Sequence, residues 1–267
     1  MKLYIDGHIH FYDNFSPKVF FDFAVNNFSK FGTDKADNKE RKNILIFTEG
    51  KEVNFFNTFK NNKNIYSDMD YNFVSTDEDN SLLIEKNGKE LMYLIQGRQI
   101  VTEDNIEILS IGTTEIIEDG KPSKSVIDKL IKDKKPAVIA WGVGKWLFKR
   151  EKIVHKIITE RQSPYLFIGD NSARPVFWGT PKLYKYAVKK GYKIINGSDP
   201  LPLQSEEQKA GSFGFSIEGD FDCKQPANSL IKLLMSKNVE IKYFGKRDGV
   251  KSFFLRQLKM FLKKHLG

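Results

Sequence analysis

The chain predicts an α/β protein, a TIM-like or distorted (β/α) barrel with a β-rich insertion around residues 71–112. Three observations lead there. Short apolar runs alternate with amphipathic stretches on both sides of the insertion, the pattern of a mainly parallel sheet covered by helices. Several of these runs end in residues capable of chemistry, which is where barrel strands keep it. The 267 residues suit one such barrel, and no linker-like composition divides them, so a single domain over 1–267 is expected.

Lys2 to Asp6 reads as a short buried strand. Ser16 and Pro17 then supply the cap and first residue of a helix through Phe20, Phe21, Phe23, Ala24 and Phe28. Thr33 to Arg41 is polar and charged, and Ile44 to Phe47 forms a second strand ending at Thr48, Glu49 and Gly50. Strands follow at Tyr71 to Val74, Ser81 to Glu85, Leu91 to Gln96 and Ile106 to Ile111, with Asn87 and Gly88 as a hairpin turn. This meander is the expected elaboration on one side. Alternation then returns: helix Ser123 to Lys132, strand Ala137 to Ala140, helix Leu147 to Arg161, strand Tyr165 to Ile168, helix Pro181 to Lys190 and strand Tyr192 to Ile195. A last helix, at about 249–266, gathers Phe253, Phe254, Leu258, Phe261 and Leu262 on one face and Lys and Arg on the other. It docks on the barrel or, alternatively, makes a weak peripheral contact with an anionic membrane.

A composition of 40% hydrophobic and 29% charged residues excludes wholesale disorder. The single cysteine, Cys223, excludes an intramolecular disulfide framework and a Cys-type zinc cluster. Nowhere do eighteen apolar residues run together, and the N-terminus lacks a leader pattern, so a cytoplasmic protein is expected. The net charge of +9 favours anionic partners without choosing among them. Much of it lies at the C-terminus, among Lys242, Lys246, Arg247, Lys251, Arg256, Lys259, Lys263 and Lys264.

Two of the four histidines, His8 and His10, flank one residue in a strand-like segment. Their side chains project to the same side and can share one cation; the alternative is a pair of hydrogen-bonded loop histidines. Asp199 follows the strand Tyr192 to Ile195 through Asn196, Gly197 and Ser198, placed to bind a metal or take a proton, or else to cap a turn before Pro200. Asp170 ends the strand before it, with Arg174 four residues on. These two are a ligand and an anion clamp, or they pair with each other in a structural loop. Gly142, Gly144 and Lys145 before a helix suggest a phosphate cradle without Walker spacing, or a tight turn packed by Trp141 and Trp146. Glu107 and Glu49 are strand-end carboxylates amid apolar neighbours, whereas His155 lies mid-helix and His265 in the basic tail.

In order, these pieces resemble the polymerase and histidinol phosphatase (PHP) superfamily of metal-dependent phosphoesterases and, more distantly, the amidohydrolases. Asp6-Gly-His-Ile-His10 looks like the family's first D-x-H-x-H motif and Gly197-Ser-Asp199 like its closing G-S-D. Gly97 to Ile100, Ile106 to Leu109 and Val138 to Trp141 are similar to its middle segments. Gln99 stands where a Glu is usual, Glu107 and Trp141 where a His is usual, and Leu201 where the final His would be.

The resemblance implies a reduced mono- or dinuclear site built from His8, His10 and Asp199 with Glu107 or Asp170, accepting a divalent ion such as Mn, Fe or Zn. The expected reaction is hydrolysis of a phosphoester on a small anionic substrate. Asp199 or Asp170 would accept a proton, while Lys145 and Arg174 offset phosphate charge. Nucleic acid has only net charge in its favour and is set aside, since no recognition motif accompanies it. The rival expectation is a barrel that keeps the fold, has lost the chemistry and serves as an anion-binding scaffold.

Overall fold

The computed structural model describes residues 1–32, 40–61, 70–142 and 144–266. The polar stretch expected at 33–41 therefore lies largely outside the described residues. The parallel side of the fold is laid down by β1 (Lys2–Ile9), α1 (Pro17–Ser29), β2 (Arg41–Glu49) and α2 (Phe55–Asn61). The insertion holds β3 (Tyr71–Ser75), β4 (Ser81–Lys86), β5 (Lys89–Val101) and β6 (Glu107–Ile111). After it come α3 (Ser123–Lys132), β7 (Ala137–Ala140), α4 (Lys149–Glu160), β8 (Leu166–Asn171), α5 (Lys182–Lys189) and β9 (Ile194–Gly197). The chain then adds β10 (Phe213–Glu218), α6 (Pro226–Met235), β11 (Lys242–Gly245) and α7 (Val250–Leu266).

Among the described residues eleven strands form one sheet in the order β11-β10-β1-β2-β5-β6-β7-β8-β9, with the β3–β4 hairpin beside β5. This is the distorted barrel the sequence predicts, and the insertion explains the distortion. β5 is thirteen residues long. One edge pairs in parallel with β2, while the other takes β4 along its first half and β6 along its second, both antiparallel. The hairpin is thus an outer flap, and β5 and β6 belong to the wall. Antiparallel pairing of β5, β6 and β7, and of β1 with β10, departs from a regular (β/α) alternation.

The wall nearly closes where β9 meets β1. β10 covers β1 only as far as Ile5, which leaves the edge beyond it free. The seam is made by buried Asp6, which accepts from Ser198 N at 2.8 Å and Gly211 N at 2.9 Å, and by Asp199 N donating to His8 O at 2.9 Å. Glycine permits this approach, for a Cβ on Gly197 would sit 2.2 Å from His8 N.

Three apolar clusters follow from strand parity. Leu3, Ile5, Ile44, Ile46, Leu109, Val138 and Phe167 fill the barrel, whose lower end is plugged by Leu230 and Leu234 of α6. Outside, Phe11, Phe20, Phe21, Phe47 and Phe59 interlock edge to face between β1, β2 and the first two helices, with Phe56 in the same cluster. On the far side Ile108, Ile139 and Ile168 meet α3, α4 and α5 through Ile127, Ile158 and Leu183.

One segment carried no expectation, and one expectation needs correcting. The segment 203–248 holds β10, α6 and β11, which short runs such as Phe213-Gly-Phe-Ser-Ile-Glu218 signal only weakly. On α7 the apolar stripe docks only at its start, where Phe253 and Phe254 meet Phe177. Phe253 is buried, but Phe254, Leu258, Phe261 and Leu262 are exposed, and the helix is held by Arg256, a residue of its polar side. Arg256 reaches Asp248 at 2.6 Å and Glu206 at 2.8 Å, because the buried Glu206 and the largely covered Asp248 demand a cation more strongly than the surface offers an apolar groove.

Candidate metal centre

The two histidines face the interior because of a local irregularity. Along β1 the odd residues Leu3 and Ile5 point into the barrel and Tyr4 points out. The register with β2 shifts between Asp6 and Ile9, and Ile9 then joins the outer phenylalanines. A bulge of this kind re-aims every later side chain. His8 and His10, both buried, are thereby turned toward each other, Nε2 to Nε2 at 2.9 Å.

Asp199 completes the group. Its Oδ1 lies 3.6 Å from both Nε2 atoms. These three residues are the metal-capable cluster among the described residues. Asp199 has φ +49°, in the left-handed region that Asp tolerates better than most side chains, and its backbone is pinned by the seam to His8. Gln99 Oε1 stands 3.2 Å from His8 Nε2 and adds an oxygen donor. Asn171 Nδ2 donates to Asp199 Oδ2 at 2.7 Å and to Trp141 O at 3.0 Å, while its own Oδ1 is buried with no partner among the described residues.

The electrostatics suit a cation. Burial, reinforced by His8, pushes His10 down to about 4, so the ring is neutral near pH 7. Burial alone would raise Asp199, but His8, His10, Arg256 and Lys145 hold it below the ordinary carboxylate value. Neutral imidazole and ionised carboxylate are the forms that bind metal. Separations of 2.9 and 3.6 Å bracket the roughly 3.3 Å edge of a tetrahedron with bonds of about 2.0–2.1 Å. Asn171 Oδ1 is a spare acceptor beside the cluster. Two imidazoles, a carboxylate and an amide oxygen thus fit a divalent ion without selecting Mn, Fe or Zn.

The remaining expected site residues are placed differently. In β8, Leu166 and Ile168 point outward with Asp170, and Phe167 points inward with Asn171. Asp170 therefore turns away from the cluster into a two-pronged pair with Arg174 at 2.7 and 2.6 Å, backed by Tyr184 OH at 3.2 Å. Arg174, itself buried, turns its third nitrogen, Nη1, to Gly179 O. Both are structural, the second of the two readings their spacing allowed. Glu107 faces inward beside the cluster, but it pairs with Lys145 and is not one of the three convergent ligands. The phosphate cradle also fails, since α4 begins at Lys149, beyond Gly142, Gly144 and Lys145. Glu49 is buried against Arg98.

Sequence reasoning missed Asn171 and Arg256 and undervalued Gln99. The signal for Asn171 was present, because strand alternation makes it, and not Asp170, the inward residue of the strand end. Arg256 Nη2 donates to Asp199 O at 3.1 Å across 57 residues, a contact no local pattern announces.

No family model and no curated protein sequence matches the chain. Solved structures do resemble it. PsfC from Pseudomonas syringae PB-5123 has a TM-score of 0.56 at 10% identity, over 100% of this chain and 99% of that one. The lesion-specific endonuclease PfuEndoQ from Pyrococcus furiosus has a TM-score of 0.56 at 12% identity, over 92% of this chain and 59% of that one. Endonuclease Q in complex with a 27-mer duplex substrate carrying an abasic lesion at the active site gives 0.44 at 14% identity, over 88% and 56%. The chain thus spans little more than half of the endonuclease chains, and the likeness shows a shared fold. The expectation of a small phosphorylated substrate, with nucleic acid set aside, does not stand, since the fold is one that a lesion-specific endonuclease shares. Its weakness was to require a linear recognition motif, when a barrel can assemble a nucleic-acid surface from its loops.

Proposed function

We propose that this chain is a metal-dependent hydrolase that cleaves phosphodiester bonds in nucleic acid. The observation that carries the reading is the convergence of His8, His10 and Asp199 at the mouth of the barrel, where β1 and β9 end. The fold shared with a lesion-specific endonuclease, the PHP-like motif around His8 and His10, and the net charge of +9 support it.

A divalent ion held there supplies polarisation of a phosphoryl oxygen and a more acidic water. His8 and His10 bind as neutral imidazoles and Asp199 as carboxylate, its second oxygen fixed by Asn171. Glu107, the inward carboxylate outside the ligand group, would accept a proton, and Lys145, its ion-pair partner, would balance phosphate charge.

Untagged protein, purified without chelators, is expected to carry about one divalent ion per chain and to nick DNA or RNA in a chelator-sensitive manner. His8→Ala and His10→Ala should lose both. Absence of stoichiometric metal, with content unchanged in these variants, would overturn the reading and leave the scaffold alternative.

A further inference from the structure

All three tryptophans of the chain, Trp141, Trp146 and Trp178, line one cavity of about 140 Å³. Leu147, Glu151 and Lys182 share its wall. Trp141 and Trp178 stand perpendicular, at 83° with centroids 5.8 Å apart, so one ring offers a face where the other offers an edge. Trp146 spends its indole N–H on Ala140 O at 3.0 Å and presents only apolar ring to the space.

The cavity lies on the outer side of the wall and is tied to the metal centre through one side chain, Asn171. Trp141 points outward from β7, while its carbonyl accepts from Asn171, whose amide also holds Asp199. The mouth carries an aromatic lip on the surface. Trp178, a lining residue, is 37% exposed, and Phe148, next to the lining Leu147, is 85% exposed at φ +55°, a costly backbone for an exposed ring. Two basic groups lie at the lip: Lys182 lines the cavity, and Arg247 donates to Gly179 O beside Trp178. Flat aromatic walls rimmed by cations match a base carried on a phosphate backbone better than they match an uncharged partner.

We propose that this pocket takes an unpaired nucleobase of the substrate strand, flanking the phosphodiester presented to His8, His10 and Asp199. The inference rests on the nucleic-acid reading above but not on catalysis.

The three tryptophans are also the reporter. In the presence of chelator, the protein is titrated with a short single-stranded oligodeoxynucleotide and with an abasic strand of equal length, following intrinsic fluorescence. The base-containing strand is expected to quench emission and bind about tenfold tighter or more, the scale of one base–aromatic stack. Trp178→Ala should remove that preference and Trp178→Phe should keep most of it. If Trp178→Ala does not fold, the comparison of the two strands on the native protein decides alone. Equal affinity and equal quenching by both strands would overturn the pocket, and failure to bind either strand would overturn the nucleic-acid reading with it. Base-selective binding by a protein that carries no metal would keep the pocket and remove the hydrolase.

Discussion

Asn171 Nδ2 lies 2.7 Å from Asp199 Oδ2 and leaves Asp199 Oδ1 directed at His8 and His10. The amide fixes which oxygen is available, and such orienting partners are typically worth 10- to 100-fold in metal affinity. Asn171→Ala is expected to weaken binding of the ion by about that factor. Chelator competition measures it, and unchanged affinity would show that the hydrogen bond is incidental.

Gly197→Ala tests the seam. The added methyl would meet backbone, at 2.2 Å from His8 N and 2.7 Å from His8 Cα, not the flexible end of a side chain. A destabilisation of about 1–3 kcal/mol, the usual cost of overpacking, is expected in denaturant unfolding, with loss of metal because His8 shifts. A variant with unaltered midpoint and metal content would mean that the strands can part freely.

Arg256→Ala would leave the carboxylates of Glu206 and Asp248 short of their shared cation, although Lys209 still reaches Asp248 at 3.0 Å. Removing one partner of a buried ion pair typically costs about 3–5 kcal/mol. The lost contact is also what holds α7, so limited proteolysis should cut near Gly249 much faster than in the native chain. Equal cleavage rates would indicate that the other contacts of α7, through Ser252, Phe253 and Lys263, suffice for docking.

Glu49 gives a pH signature. Burial raises it from 4.5 to about 7, against the opposing pull of Phe56 N–H and Arg98, and its Oε2 has no hydrogen-bond partner among the described residues. Between these values the folded protein binds the extra proton, so stability falls as pH rises from about 4.5 to 7 and levels off above. The whole effect is at most on the order of 3 kcal/mol. Asp6, also pushed up to about 7 by burial, adds slope of the same sign. Glu49→Gln should flatten the profile in part, with its advantage over the native protein growing toward pH 7. Parallel profiles in urea unfolding would refute the assignment.

Local physics made several elements legible. Ser16 and Pro17 cap α1 as read, with Ser16 Oγ accepting from Val19 N, and the apolar runs at 44–47 and 137–140 are interior strands. The segment 203–248 was opaque because β10 and β11 are short and gain their stability by pairing with β1 and each other. Among site residues, Asp170 was misjudged by proximity to a strand end, where parity with Ile168 would have turned it outward.

By itself the sequence determined the alternation of strand and helix, the adjacency of His8 and His10, and their position at a strand end, since each depends on residues within a few steps of one another. Only the tertiary structure decided that the bulge after Asp6 turns both rings inward, that Asp199 meets them across the closing seam, and that Arg174 removes Asp170 from the site. Those outcomes depend on register and on contacts between distant strands. They are set by which buried charges and backbone groups must find partners once the wall closes.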